Sequence, residues 1–215
     1  MTQDLLNGVK DFKRFHYGAK DGALMSDLVE NGQSPKYFII SCIDSRCNPG
    51  TIFRAKPGIF FAHKAMGAII RPYKKGTALA AALQFALDYN TVDTIIVMGH
   101  TQCGAVKALV EQLEDEEISS FIKVTEKALE EAKSKCSDPA HIMDQTEKEV
   151  VLQGVENIKQ YPAVARALSE NRVKIKPWIF DIKTGDLLEH DPVTSEFISI
   201  TPETSNNEEE PRKNA

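Results

Sequence analysis

Two short stretches hold the residues best suited to chemistry: Cys42-Ile43-Asp44-Ser45-Arg46 and His100-Thr101-Gln102-Cys103. Two thiolates and one imidazole form a donor set that suits zinc, with Zn–S of ~2.3 Å and Zn–N of ~2.0–2.1 Å in tetrahedral geometry. Three protein ligands leave a fourth position for water, the pattern of a catalytic rather than a structural zinc. Taken alone, the His100/Cys103 pair is a weak signal, since Cys103 could fill a core and His100 could be a satisfied polar group. The Cys-x-Asp-x-Arg run elsewhere strengthens the metal reading. Cys47 could add a fourth sulfur and close the site. It stands beyond Arg46 and before Asn48-Pro49-Gly50, where the chain should turn away, so a filler role is expected. Cys136 has no partner residue nearby and is expected to be inert. Asp44 and Arg46 could equally form an ordinary salt bridge that orders a loop.

These residues need strands to bring them together. Tyr37–Cys42 is a continuous apolar run, as expected for a strand buried on both faces of a parallel sheet. Thr94–His100 is another, running straight into the second motif. In open α/β sheets, ligand sites form beyond the carboxyl ends of the strands, where both motifs lie. A short strand is predicted at Ile59–Ala62 after the Pro57-Gly58 turn, a helix over 76–89, and mostly helix over 105–170. Lys176–Asp181 reads as a late strand, with Asp186–His190 as its antiparallel hairpin partner. Residues 1–32 read as two amphipathic helices, with Leu5, Leu6, Val9 and Phe12 recurring in the first. The expected fold is therefore α/β, a mostly parallel central sheet flanked by helices with an antiparallel C-terminal edge strand. One domain is expected over 1–203, including an N-terminal helical arm at 1–32, followed by a disordered tail at 204–215.

Composition narrows the function further. The 215 residues are 42% hydrophobic and 27% charged, with a net charge of −5. A mildly acidic chain without a long basic run is a poor nucleic-acid or membrane-surface binder. No apolar stretch approaches the ~20 residues of a membrane-spanning helix. The N-terminus lacks the basic-then-apolar pattern of a secretory signal, so a cytoplasmic location is expected. Four cysteines are too few for a disulfide scaffold.

The two motifs together resemble those of the β-class carbonic anhydrases, with the similarity running from Gln33 to about Val110 and more weakly to the late strands. The resemblance implies zinc held by Cys42, His100 and Cys103, one ion per chain, with Asp44 and Arg46 as the adjacent catalytic dyad. Gly32-Gln33-Ser34-Pro35-Lys36-Tyr37 is similar to the plant-type members, whose glutamine at the position of Gln33 contacts substrate. Phe61 and Phe85 fall where the family places pocket aromatics, Gly104 continues its His-x-x-Cys-Gly signature, and Met66 departs from its usual Arg-Asn-x-x-Asn run in a stretch expected to line the pocket. The implied reaction is reversible hydration of carbon dioxide to bicarbonate and a proton by a zinc-bound hydroxide, since zinc lowers the pKa of bound water from ~15.7 toward ~7.

The family's regulatory bicarbonate site uses a tryptophan, an arginine and a tyrosine, where this chain has Ile39, Lys64 and Phe180. No such site is expected. His63 and Tyr89 are candidate proton shuttles, His16, His141 and His190 are expected at the surface, and Trp178 in the core. In the family, N-terminal helices wrap a neighbour, so a homodimer or larger homo-oligomer is implied, with Gln33 reaching the partner's zinc. Competing readings are hydrolysis of carbon disulfide or carbonyl sulfide at the same site, and a catalytically silent zinc-binding structural protein. Retention of Gln33, Asp44 and Arg46 argues against the silent form.

Overall fold

The computed structural model describes residues 2–18 and 23–203. The tail expected to be disordered, from residue 204, lies outside the described residues. The described residues divide into two compact units, one within residues 2–34 and the other Pro35–Thr201.

The first unit holds helices α1 (Gln3–His16) and α2 (Leu24–Glu30). Ala23 precedes α2 as its N-cap in a left-handed conformation. Helix α1 buries none of its residues, and Leu5, Leu6, Val9, Phe12 and Phe15 are all exposed.

The second unit is built on a six-stranded sheet ordered β2-β1-β3-β4-β5-β6. Its strands are β1 (Tyr37–Cys42), β2 (Phe60–Ala65), β3 (Thr94–His100), β4 (Lys174–Phe180), β5 (Leu187–His190) and β6 (Phe197–Ser199). The first four run parallel, and β5 and β6 are antiparallel additions at one edge. The expected α/β sheet is thus present, with β2 longer than expected and β6 an added edge strand. Between them run α3 (Pro49–Ile52), α4 (Ala78–Asp88), α5 (Gly104–Val110), α6 (Glu117–Ile122), α7 (Glu126–Lys135), α8 (Ile142–Lys159) and α9 (Pro162–Ser169).

Period-two alternation in β1 and β3 sorts their side chains to two faces. Phe38, Ile40, Ile95 and Val97 join one cluster with Leu83 of α4, Val151 and Ile158 of α8 and Val164 of α9. Ile39, Ile96 and Met98 join the other, with Val106 and Leu109 of α5, Leu129 of α7 and Val150 of α8. Each such side chain, fully buried, contributes about 1.5–3 kcal/mol. Local signals fix where the helices begin. Thr77 caps α4 by accepting from the Ala80 N–H at 3.3 Å, and Pro162 opens α9, where its missing N–H has no intrahelical partner to lose.

The strand order sets the position of the site. From central β1 the chain crosses to β2 on one side, then returns to place β3 on the other. The order reverses between β1 and β3, and the crevice at their carboxyl ends is the place where such sheets bind ligands. Cys42 ends β1 and His100 ends β3.

Candidate metal centre

Cys42, His100 and Cys103 come together at that switch point. One ligand atom from each lies within 4.8 Å of the other two, and all three residues are buried. His100 has its Nδ1 2.9 Å from the Thr101 carbonyl oxygen. A proton on Nδ1 donated to that oxygen leaves Nε2 with its lone pair free, the tautomer a metal ligand needs. Nε2 is buried and has no hydrogen-bond partner. A buried imidazole nitrogen left unpaired beside two sulfurs fits a metal cation, which would supply the missing interaction. The donor set therefore fits a metal.

The electrostatics of the cluster agree. A hydrogen bond from the Cys103 thiol brings the Cys42 pKa down to about 4, against the cost of burial and with help from His100 and the backbone. The Cys103 thiol is correspondingly pushed up by Cys42 and by burial. Burial opposes a charge on His100, but the Cys42 sulfur outweighs it and raises the pKa of the ring. The N–H groups of Asp44, at 3.4 Å, and Gly67, at 3.2 Å, both donate to the Cys42 sulfur. Gly67 adopts φ +64, a left-handed conformation that glycine takes without strain.

Beside the cluster, Asp44 faces Arg46 in a two-pronged contact. Arg46 Nε donates to Oδ1 at 3.0 Å and Nη2 to Oδ2 at 2.8 Å, and the Arg46 backbone N–H donates to Oδ1 at 2.9 Å. The guanidinium first, and then the backbone N–H, hold the Asp44 carboxyl well below the usual carboxylate range. Asp44 Oδ2 lies 4.0 Å from His100 Nε2, so the ionised carboxylate borders the ligand set. Arg46 is largely exposed. Lys64 Nζ donates to the Cys47 carbonyl at 2.9 Å, tying β2 to the turn that carries the dyad.

The other residues singled out in the sequence are distributed unevenly. Met66 packs on the second cluster, next to Gly67, and Gly104 opens α5 directly after Cys103. Phe61 packs on the first cluster with its ring 5.8 Å from that of Phe85, which is itself exposed. Within one chain, Phe61 belongs with the first cluster, whereas Cys42 and Cys103 belong to the second. Gln33 is exposed and belongs to the N-terminal unit. Cys47 is fully buried outside the ligand group, with its thiol pushed up to about 12 chiefly by burial. Cys136 is half-buried. His141 is exposed, whereas His16, His63 and His190 are half-buried and Tyr89 stacks on Phe85 at the surface. Trp178 is half-buried, not fully in the core, because its indole N–H donates to Glu189 Oε2 at 3.0 Å.

Two carboxylates that touch the site escaped the sequence reading. Glu147 accepts from the Cys103 N–H at 2.8 Å, and Asp181 accepts from the Thr101 hydroxyl at 3.0 Å. Glu147 carried a usable signal, since it falls at helical spacing with Val150, Val151, Gly154 and Ile158 on the buried side of α8. An acid in an apolar stripe calls for a partner. Burial pushes its pKa up to about 7.

The carbonic anhydrase family model matches residues 37–187, most of the second unit. The chain belongs to the β-class carbonic anhydrase family and is an enzyme of that class. A carbonic anhydrase of Pseudomonas aeruginosa is 28% identical over 206 residues, covering 92% of this chain and 91% of that protein. One from Synechocystis sp. is 27% identical over 204 residues, covering 92% of this chain and 74% of the relative. Among solved structures, the β-carbonic anhydrase CcaA superposes with a TM-score of 0.81 at 28% identity, covering 92% of this chain and 98% of that one. The Coccomyxa β-carbonic anhydrase bound to acetazolamide gives 0.77 at 21% identity, covering 88% and 86%, a likeness of fold. Among the described residues, no helix is long and apolar enough to cross a membrane.

Proposed function

We propose that the chain catalyses reversible hydration of carbon dioxide to bicarbonate and a proton, with one zinc ion held by Cys42, His100 and Cys103. The observation that carries this reading is the meeting of three buried ligand atoms, one an unpaired imidazole nitrogen, beside the ionised Asp44–Arg46 pair. Two sulfurs and a nitrogen, their ligand atoms all within 4.8 Å of one another, favour zinc over harder cations. When bound, zinc supplies the Lewis acidity that lets water act as hydroxide near neutral pH.

The chain's own residues do the rest. Asp44, kept ionised by Arg46, accepts a hydrogen bond from the attacking water and so aims its oxygen lone pair at the carbon of carbon dioxide. Arg46 fixes the plane of that carboxylate with its rigid fork, which a lysine cannot reproduce. The Gln33 amide donates to a substrate oxygen. Phe61, Phe85 and Met66 supply apolar surface suited to a small uncharged gas, and Gly104, directly after Cys103, adds no side chain beside the substrate.

The same reading includes a homo-oligomer. Support comes from the unburied apolar face of α1, and from the placement of Phe61 in a different cluster from Cys42 and Cys103 of its own chain. In a dimer, Phe61, Phe85 and Gln33 would serve the partner's centre. A fungal relative at 22% identity, from Sordaria macrospora, is described as tetrameric.

Zinc content measured alongside stopped-flow hydration of carbon dioxide tests the proposal. One zinc per chain with rapid hydration is expected. Stoichiometric zinc with turnover of carbonyl sulfide or carbon disulfide in place of carbon dioxide would overturn the substrate assignment. Zinc held by four protein atoms with no turnover at any pH would overturn the enzymatic reading of the centre.

A further inference from the structure

Among the described residues, Glu147 is the one deeply buried carboxylate that touches a candidate ligand residue, and the reading above gives it no part. Only 3% of its surface is exposed. Its Oε1 accepts from the Cys103 N–H at 2.8 Å, the Gln102 N–H also favours its charged form, and Oε2 is buried with no hydrogen-bond partner. A carboxylate in such surroundings is unfavourable unless hydrogen bonds offset its lost hydration. Here those bonds go to the loop between the second and third ligands.

Two features account for the contact. Gly99, the residue before His100, lies flat against α8. A Cβ there would stand 2.6 Å from Val151 Cγ2 and 3.0 Å from Ile179 Cδ1. The missing side chain lets α8 approach β3 closely enough for Glu147 to reach past the strand end. The second feature is Gln102, which adopts φ +56 between the two ligands. A residue with a Cβ is strained in that left-handed region and stays there only when its surroundings hold it. The turn reverses the chain just where the Cys103 sulfur must return to the His100 ring.

On the other side of the loop, the Thr101 N–H donates to the Phe180 carbonyl, and the Thr101 hydroxyl donates to Asp181 while accepting from the Ile182 N–H. The loop is thus gripped from β4 at its start and from α8 at its end.

We propose that Glu147 is a positioning residue for the metal centre, its carboxylate oxygen holding the Gln102–Cys103 backbone in the left-handed turn that sets the spacing of the Cys103 sulfur and the His100 ring. The proposal rests on the reading of Cys42, His100 and Cys103 as zinc ligands. Its content is geometric: the oxygen must be at the right reach, and its charge is secondary.

Two variants separate reach from charge. Glu147→Gln keeps an acceptor oxygen at the same distance without the charge, and Glu147→Asp keeps the charge but withdraws the oxygens by one methylene. Zinc affinity is read by competition with a chromogenic chelator. Cobalt(II) in place of zinc reports the thiolate-to-metal absorption, which a loss of fold stability alone would not shift. Glu147→Asp should weaken zinc binding about 10–100-fold and move the cobalt band, while Glu147→Gln stays within about threefold of the unaltered chain. Adding Gln102→Gly, which takes the same φ without strain, should recover part of the loss in Glu147→Asp.

Unchanged affinity in Glu147→Asp would overturn the proposal. So would a Glu147→Gln that falls with it, or a double variant no better than Glu147→Asp alone. An unaltered chain that takes up no zinc would overturn the metal reading and this role together. Bound zinc without hydration activity would overturn the function alone.

Discussion

The two strand ends that carry the candidate ligands are held by different means. At the end of β1, order comes from the surface: Arg46, more than half exposed, grips Asp44 in a fork, and Lys64 reaches across from the edge strand to the Cys47 carbonyl. At the end of β3, order comes chiefly from within: buried Glu147 reaches the loop from α8, half-buried Asp181 adds a contact from the end of β4, and Gly99 lies against packed aliphatic side chains. The difference separates two tasks. On the reading proposed here, the inner end would set the spacing of two candidate ligands, and the outer end would aim a charged group beside them. Damage at the inner end should show first as lost metal, and damage at the outer end as lost rate.

The largest effect should come from the ligands. His100→Ala or Cys103→Ala is expected to abolish stoichiometric zinc and to lower hydration by roughly 10³-fold or more, as read by metal analysis and stopped flow. Asp44→Asn tests the outer end. It should retain its zinc and lose about 10²-fold in kcat, because the aim of the attacking water is lost. Zinc lost along with activity in that variant would erase the distinction between the two ends. Arg46→Lys sharpens it further, with a loss of about tenfold in kcat, zinc unchanged, and a steeper response to salt than the forked pair shows.

Smaller effects belong to the packing. Gly99→Ala forces a Cβ against Val151 and Ile179, and should cost about 1–3 kcal/mol, read as a lower Tm. Zinc affinity should fall in the same variant because the added methyl pushes α8 away from the loop. Thr101→Val removes the hydroxyl shared with Asp181 and Ile182 and should cost about 1 kcal/mol in thermal unfolding, with a small loss of zinc affinity.

Much of this arrangement is legible in the sequence because apolar runs stop abruptly at polar ligands. Tyr37–Cys42 and Thr94–His100 read as buried strands without ambiguity, and both end on a ligand. The extension of β2 through His63 and Lys64 was not legible, because an edge strand half open to water carries polar residues that blur its signal. The three residues of β6 are too few for any periodicity, and their pairing with β5 follows from the turn at Asp191–Glu196 instead. The inner anchors were illegible for another reason. Glu147 lies 44 positions from Cys103, and Asp181 lies 80 from Thr101, so only the fold reveals what each touches. The association of Phe61 with the other cluster is likewise a property of strand register, since Phe61 pairs with Phe38 and faces the way it does.

Cys42 and His100 stand 58 positions apart in the chain, yet their side chains meet. An ion seated between them would act as a cross-link, joining the ends of a long excursion that includes β2 and α4. Fewer unfolded arrangements are compatible with such a closed ring. Because the folded form alone offers the full set of donors, its resistance to heat should climb with the logarithm of free metal once the site is saturated. For this enzyme, metal supply would govern how long the molecule survives as well as how fast it works.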